Sequence, residues 1–238
     1  MIVGSIASGI VMTPTTQTSI SQELGINDLI AARPQSWRSR LVGWREFAVA
    51  VIELAGLVAR PVFWKSKMRR GDGHSVLVIP GYRAGDVNFI PMRNWLKRMG
   101  YRPVKSGIDF NPGWSEEIVE ELGQRAEDEF HDSGRRVTLI GHSLGGLQAR
   151  SIAQRRPHAV RRLIMLGAPL TFAGGTTPPS IAIASIYVST DLPYQPQARE
   201  SHAENIEVRG SHGGLAVNRR VFSLLTELLC RSDLSTPA

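Results

Sequence analysis

The run Val137-Thr-Leu-Ile-Gly-His-Ser-Leu-Gly-Gly146 constrains this chain more than any other stretch. Val137 to Ile140 read as a buried strand, and a helix can begin at Leu144. The chain must therefore turn sharply in between, and Ser143 sits on that turn with its hydroxyl pushed out above the strand end. A turn this tight needs small neighbours, which Gly141 and Gly145 supply two residues to each side of the serine. Gly-x-Ser-x-Gly alone recurs by chance. The apolar strand before it and the helix after it make the signal specific.

The same alternation runs through the chain from His74 onward. Strands are expected at Ser75–Ile79, Tyr101–Lys105, Val137–Ile140, Val160–Leu166, Ile181–Val188 and Asn205–Val208. Helices are expected at Asn88–Met99, Ser115–His131, Leu144–Arg155 and Leu215–Leu229. Ser115 suits a helix cap, with Glu116 and Glu117 placed to meet the helix dipole. Asp86 is expected to cap the helix that follows it. Strand–helix alternation with near-continuous apolar strands implies an α/β chain with a parallel sheet covered by helices on both faces.

Ahead of this region, residues 1–35 show little periodicity and read as an arm. Ser36 to Phe63 read as a helix, with apolar residues at Leu41, Trp44, Ala48, Val51, Ile52, Ala55 and Val58, closed by Pro61. We therefore divide the chain into an N-terminal arm and helix, 1–73, packing on or near the core, and a main domain, 74–238. The helix has two readings. One is structural packing. The other is an interfacial helix over residues 36–64, in which Trp37, Trp44, Phe63 and Trp64 beside Arg and Lys make peripheral contact with a membrane.

Composition narrows the partners. The 238 residues, 42% of them hydrophobic, suffice for one domain with a sizeable core. The single cysteine, Cys230, excludes an internal disulfide framework and fits a reducing compartment. Net charge is +7, but the arginine pairs are scattered and aromatics do not interleave with them, so no nucleic-acid partner is expected. Met1 to Met12 lack a positive n-region, so no signal peptide is expected. The apolar run Phe47 to Ala59 is too short to span a bilayer and is interrupted by Glu53. The expected location is the cytoplasm, with membrane association if the 36–64 helix binds lipid. No metal-ligand spacing, phosphate loop or dinucleotide fingerprint is present, so neither metal nor cofactor is expected.

Five blocks in order carry a resemblance: Leu77-Val-Ile-Pro-Gly-Tyr82, Gly141-His-Ser-Leu-Gly-Gly146, Leu166-Gly-Ala-Pro169, Ile186-Tyr-Val-Ser-Thr-Asp191 and Asn205-Ile-Glu-Val-Arg-Gly-Ser-His212. From His74 to about Cys230 the chain resembles the α/β-hydrolase superfamily, and within it bacterial esterase- and lipase-like proteins. The resemblance implies a minimal parallel sheet of about six strands flanked by helices. About a dozen residues separate Pro169 from the next strand, which leaves no room for a cap insertion.

It further implies a triad of Ser143, Asp191 and His212, in the family's order of nucleophile, acid and histidine. A serine hydroxyl needs a neighbouring base, and the base needs an orienting carboxylate. His202 is the one serious competitor to His212, and Glu200 and Glu204 are weaker substitutes for Asp191. The oxyanion needs backbone donors. The Leu144 amide, at a helix N-terminus, is one. The second comes from the loop after the first strand, where Tyr82 is expected and Arg83 remains open. Gly81, Tyr82, His142 and Pro169 are expected to contact substrate.

The implied activity is hydrolysis of a carboxylic ester, small or lipid, through an acyl-enzyme on Ser143. Acyl transfer, amide hydrolysis and glycolipid deacylation are alternatives on the same site. A catalytically silent lipid-binding module is an alternative of another class.

Overall fold

A computed structural model describes residues 71–168, 177–188 and 203–231. The expected 1–35 arm, the 36–63 helix, Pro169, Asp191 and His202 lie outside the described residues. Among the described residues, six strands form one sheet: β1 (Ser75–Ile79), β2 (Arg102–Lys105), β3 (Val137–His142), β4 (Val160–Leu166), β5 (Ala182–Val188) and β6 (Ala203–Val208). Their order is β2-β1-β3-β4-β5-β6, and every pairing is parallel. Among the described residues, four helices accompany them: α1 (Ile90–Arg98), α2 (Glu116–Ser133), α3 (Leu144–Arg155) and α4 (Arg219–Cys230).

Strand side chains alternate between faces, so a strand buried on both sides feeds two cores. Val76 and Val78 of β1 join Ile140, Ile164 and Ile186 in a core completed by Trp95 and Leu96 of α1 and Phe222 and Leu225 of α4. Leu77 and Ile79, one residue out of step, join Leu139, Leu163 and Met165 in a second core with Val119 and Leu122 of α2 and Ala149 and Ile152 of α3. Connection handedness accounts for this division. Right-handed crossovers put α1 on one face as the chain steps from β1 out to β2. They put α2 and α3 on the other face as it steps back to β3 and on to β4.

Helix ends follow local chemistry. Ser115 Oγ accepts from the Ile118 amide, Glu116 and Glu117 fill the first turn of α2, and Gly134 closes it at φ +64°. Three expectations are corrected. The helix placed at Asn88 is a 3-10 turn over Asp86–Phe89 followed by α1, because Pro91 fits only the first turn of a new helix. Asp86 does not cap it. Its buried carboxylate accepts instead from Arg93 Nη1 (3.0 Å), Ser106 Oγ (3.2 Å) and the Gly107 amide (2.9 Å). The last helix starts at Arg219, after a 3-10 turn over Gly213–Val217. Asn218 caps it by accepting from the Arg220 and Val221 amides.

The strand order reverses between β1 and β3. In an open parallel sheet that reversal leaves a crevice beyond the C-terminal ends of the two strands, the usual place for a ligand. The loop after β1 begins at Pro80, and the turn after β3 carries Ser143.

Candidate functional site

Ser143 adopts φ 51° and ψ −120° between β3 and α3, a conformation that non-glycine residues rarely hold. The surroundings enforce it. The Ser143 amide donates to the Leu166 carbonyl at the end of β4 (2.8 Å), and its own carbonyl accepts from the Gly146 amide (2.9 Å). A Cβ on Gly141 would overlap the Gly145 carbonyl, and one on Gly145 would overlap the carbonyls of Ile79 and Pro80. Strand β3, helix α3 and the end of β1 are thus in backbone contact around the serine, and Ser143 itself is only partly buried.

The loop after β1 lies against this turn. A Cβ on Gly81 would stand 3.1 Å from Ser143 Cβ and 2.9 Å from the His142 carbonyl oxygen. Tyr82, next in chain, is 37% exposed. The Arg83 amide is already committed to the Asn111 carbonyl at 2.8 Å. Of the two amides left open by the sequence, that commitment favours Tyr82. Leu144 is the first residue of α3, so its amide is one that a helix leaves without an intrahelical acceptor.

His212 reaches the same crevice from the far side of the sheet. It follows β6 and opens the 3-10 turn over Gly213–Val217. Its ring packs on Gly167, just past β4, where an added Cβ would meet His212 Nδ1 at 3.0 Å. Gly167 itself has φ +65°. His142 lies between the two loops, 9% exposed. Its ring centroid is 5.2 Å from that of His212, and its Nε2 is 2.9 Å from the His212 carbonyl oxygen. A carbonyl only accepts, so Nε2 carries the proton. On its other side the His142 ring is 5.9 Å from Phe89.

Ser143, Leu144, Gly81, Tyr82, His142 and His212 are therefore gathered at one end of the sheet. Asp191 and Pro169 belong to the stretches outside the described residues. Sequence reasoning passed over Asn111 and Gln148, both fully buried and hydrogen-bonded to each other beneath the β1 loop at 3.1 Å. Asn111-Pro-Gly113 signals a turn, and Gln148 is a polar residue among small and apolar ones in α3. Neither signal says that the two meet. Among the described residues, no helix is long and apolar enough to cross a membrane.

Comparison with known proteins agrees with this architecture. A family model described as alpha/beta hydrolase fold matches residues 133–197, which include β3, α3, β4 and β5. A soluble variant of monoglyceride lipase from Saccharomyces cerevisiae, solved with a substrate analog, superposes with a TM-score of 0.54 at 11% identity. That match covers 70% of this chain and 88% of the lipase. The type II thioesterase BorB from the borrelidin biosynthetic cluster gives 0.52 at 13% identity, covering 71% of this chain and 98% of BorB. Polyneuridine aldehyde esterase gives 0.50 at 12% identity, covering 66% and 99%. At these identities the likeness is one of fold. No curated protein matches the chain in sequence.

Proposed function

We propose that this chain, an α/β hydrolase by fold, cleaves carboxylic esters through an acyl-enzyme on Ser143. The observation that carries the reading is the strained φ 51° of Ser143, held by backbone contacts at the switch point of the sheet. Strain of that kind is retained where it exposes a side chain for chemistry.

Ser143 Oγ attacks the ester carbonyl carbon, and His212 accepts the hydroxyl proton. Negative charge gathers on the carbonyl oxygen, where the Leu144 and Tyr82 amides donate to it. The tetrahedral species collapses, the carbon–oxygen bond to the alcohol breaks, and His212 returns the proton to the leaving oxygen. Water then attacks the acyl carbon by the same route and frees Ser143. Asp191 is the carboxylate that orients His212. Register supports that pairing: β5 and β6 run parallel with Val188 opposite Val208, and Asp191 and His212 follow those two residues by three and four positions in sequence. Gly81, the Tyr82 ring, His142 and Pro169 border the acyl site. The substrate is a small-molecule or lipid ester, and the 36–64 segment brings the enzyme to a membrane surface when that ester is a lipid. No metal or cofactor takes part in these steps.

The test is hydrolysis of p-nitrophenyl esters from acetyl to long acyl chains, with an acyl thioester in the panel, by wild type and Ser143→Ala. Activity that disappears in the variant supports the reading, and the preferred chain length separates esterase from lipase. A wild type inert to every ester, or a Ser143→Ala variant as active as wild type, overturns it. Co-sedimentation with liposomes, with and without residues 1–64, tests the membrane contact. Binding unchanged by the deletion, or absent from the full chain, removes it.

A further inference from the structure

We infer that Asn111 is a positioning residue for the oxyanion site, locking the loop after β1 to the helix behind the nucleophile. The inference rests on the ester-hydrolase reading and concerns how its two donor amides are held.

Asn111 is fully buried, and every polar atom of its side chain is used. Nδ2 donates to the Pro80 carbonyl at 2.9 Å and to Gln148 Oε1 at 3.1 Å. Oδ1 accepts from the Gly113 amide at 3.2 Å. Its main chain is committed as well. The Asn111 carbonyl accepts from the Arg83 amide at 2.8 Å, and the Asn111 amide donates to the Ala84 carbonyl at 2.9 Å. Pro80 and Arg83 bracket Tyr82, so one residue grips the loop on both sides of the amide assigned to the oxyanion. Arg83 sits at φ 57°, a conformation the loop would abandon without such a hold.

The other end of the bridge is Gln148, also fully buried, one turn along α3 from Leu144. Its Nε2 donates to the Gly113 carbonyl at 3.4 Å, closing the ring of bonds. The loop bearing one donor and the helix bearing the other, already in backbone contact at Gly145, are thus tied by a buried amide pair as well. Oxyanion donors act through geometry set before the reaction, and a shift of a fraction of an ångström forfeits much of their effect. An apolar side chain of the same size could fill the space, but it could not hold the Pro80 carbonyl in place. It would also leave that carbonyl and Gln148 buried without a donor.

The experiment compares full-length wild type, Asn111→Ala, Gln148→Met and the control Thr138→Val. Thr138 is as deeply buried, and its hydroxyl lies 3.2 Å from His74 Nε2 near the start of β3, away from Ser143. The readouts are kcat and KM on p-nitrophenyl acetate, the rate of fluorophosphonate labelling at Ser143, and the melting temperature. Asn111→Ala is expected to lower kcat and the labelling rate about tenfold to hundredfold with KM within about twofold. Gln148→Met is expected to lose less in the same direction, since the Pro80 bond survives. Thr138→Val keeps kcat even where it lowers the melting temperature as much.

Unchanged kcat in folded Asn111→Ala overturns the inference. So does an equal loss in Thr138→Val at a matched drop in melting temperature, which would mark the effect as general destabilisation. If Asn111→Ala does not fold, Gln148→Met decides: folded protein with unchanged kcat overturns the assignment. A wild type that neither hydrolyses the ester nor takes the label overturns the underlying reading instead, and the positioning role with it.

Discussion

The Nε2 of His142 donates to the main-chain carbonyl of His212 across 2.9 Å, joining the residue beside Ser143 to the loop that follows β6. Two segments far apart in sequence thereby share one anchor. His142→Phe keeps a ring of similar size and loses the donor. We expect it to lower stability by about 1 kcal/mol and kcat by about tenfold, with His142→Gln, which can still donate, falling in between. Steady-state kinetics on the three proteins, with melting curves, provide the check. A His142→Phe variant with wild-type kcat would show that the anchor is dispensable.

Strain at Ser143 predicts a trade between stability and activity. At φ 51° and ψ −120° a glycine is at ease and a serine is not. Relief of strain outweighs the extra freedom that glycine brings to the unfolded chain, for a net gain of about 1 kcal/mol. Ser143→Gly should therefore melt about 2–4 °C above wild type while losing all ester hydrolysis. Ser143→Ala keeps the strain and should melt near wild type. Equal melting temperatures for the two variants would sink the argument.

Gly145→Ala tests the backbone contact behind the elbow. The added methyl meets the Ile79 and Pro80 carbonyls, and neither can swing away as a flexible side chain would. Overpacking of this kind costs about 1–3 kcal/mol or more. The variant should show a lower denaturation midpoint in urea and reduced activity together, since relief requires β1 and α3 to part. A midpoint unchanged from wild type would mean the turn relaxes more readily than its packing implies.

The ring pair Trp95–Phe222, edge to face with centroids 5.0 Å apart, ties α1 to α4 over the sheet. Both side chains are fully buried. Trp95→Ala or Phe222→Ala should each lose about 3–5 kcal/mol. Because the rings touch, the double variant should lose less than the sum of the two. Denaturant unfolding of the four proteins measures the coupling, and strict additivity would contradict the contact.

Acid should weaken the other end of the sheet. Burial pushes the His74 imidazole below its ordinary range, although Asp72 opposes the shift, so the buried ring is held neutral and donates from Nδ1 to Asp72 at 2.5 Å. Burial acts to raise the Asp72 carboxyl, but the hydrogen bonds from His74 and Arg135 prevail and hold it well below the usual carboxylate range. Arg161, Tyr101 and Thr138 also face this pair. Both folded-state values are depressed, so the unfolded chain binds more protons as pH falls. Stability should decline below about pH 6.5 as the unfolded histidine protonates, and again below about pH 4 as the unfolded aspartate does. His74→Gln should abolish the first decline and shrink the second, since Asp72 loses the imidazole that helps to depress it and keeps Arg135. Melting temperatures from pH 8 to pH 3 provide the measurement, and an unaltered profile in the variant would exclude His74 as the source.

Most of the sheet could be read from the chain. Val76 to Ile79 and Leu139 to Ile140 are apolar without interruption because a strand buried on both faces has no solvent side on which to place a polar residue. The elbow was equally legible. Ser143 and its glycines obey a local steric rule, and local rules leave local traces. Ser115 and Gly134 mark the ends of α2 for the same reason. The reading went astray at Asn88 and Leu215, where helical periodicity runs on through a 3-10 turn. The true starts were set by Pro91 and Asn218, whose effects depend on main-chain geometry.

By itself, then, the sequence determined the strand–helix order, the turn that exposes Ser143 and the ordered blocks leading to His212. Each depends on neighbours within a few residues along the chain. Tertiary structure alone decided that His142 would hold the His212 loop, that Arg83 would give its amide to Asn111, and that Asn111 and Gln148 would meet. Those pairs are separated by 70, 28 and 37 positions. Their encounter depends on the order in which parallel strands are laid side by side and on the hand of the crossovers between them. Partners brought together by strand order leave no periodicity for a reader of the chain to find.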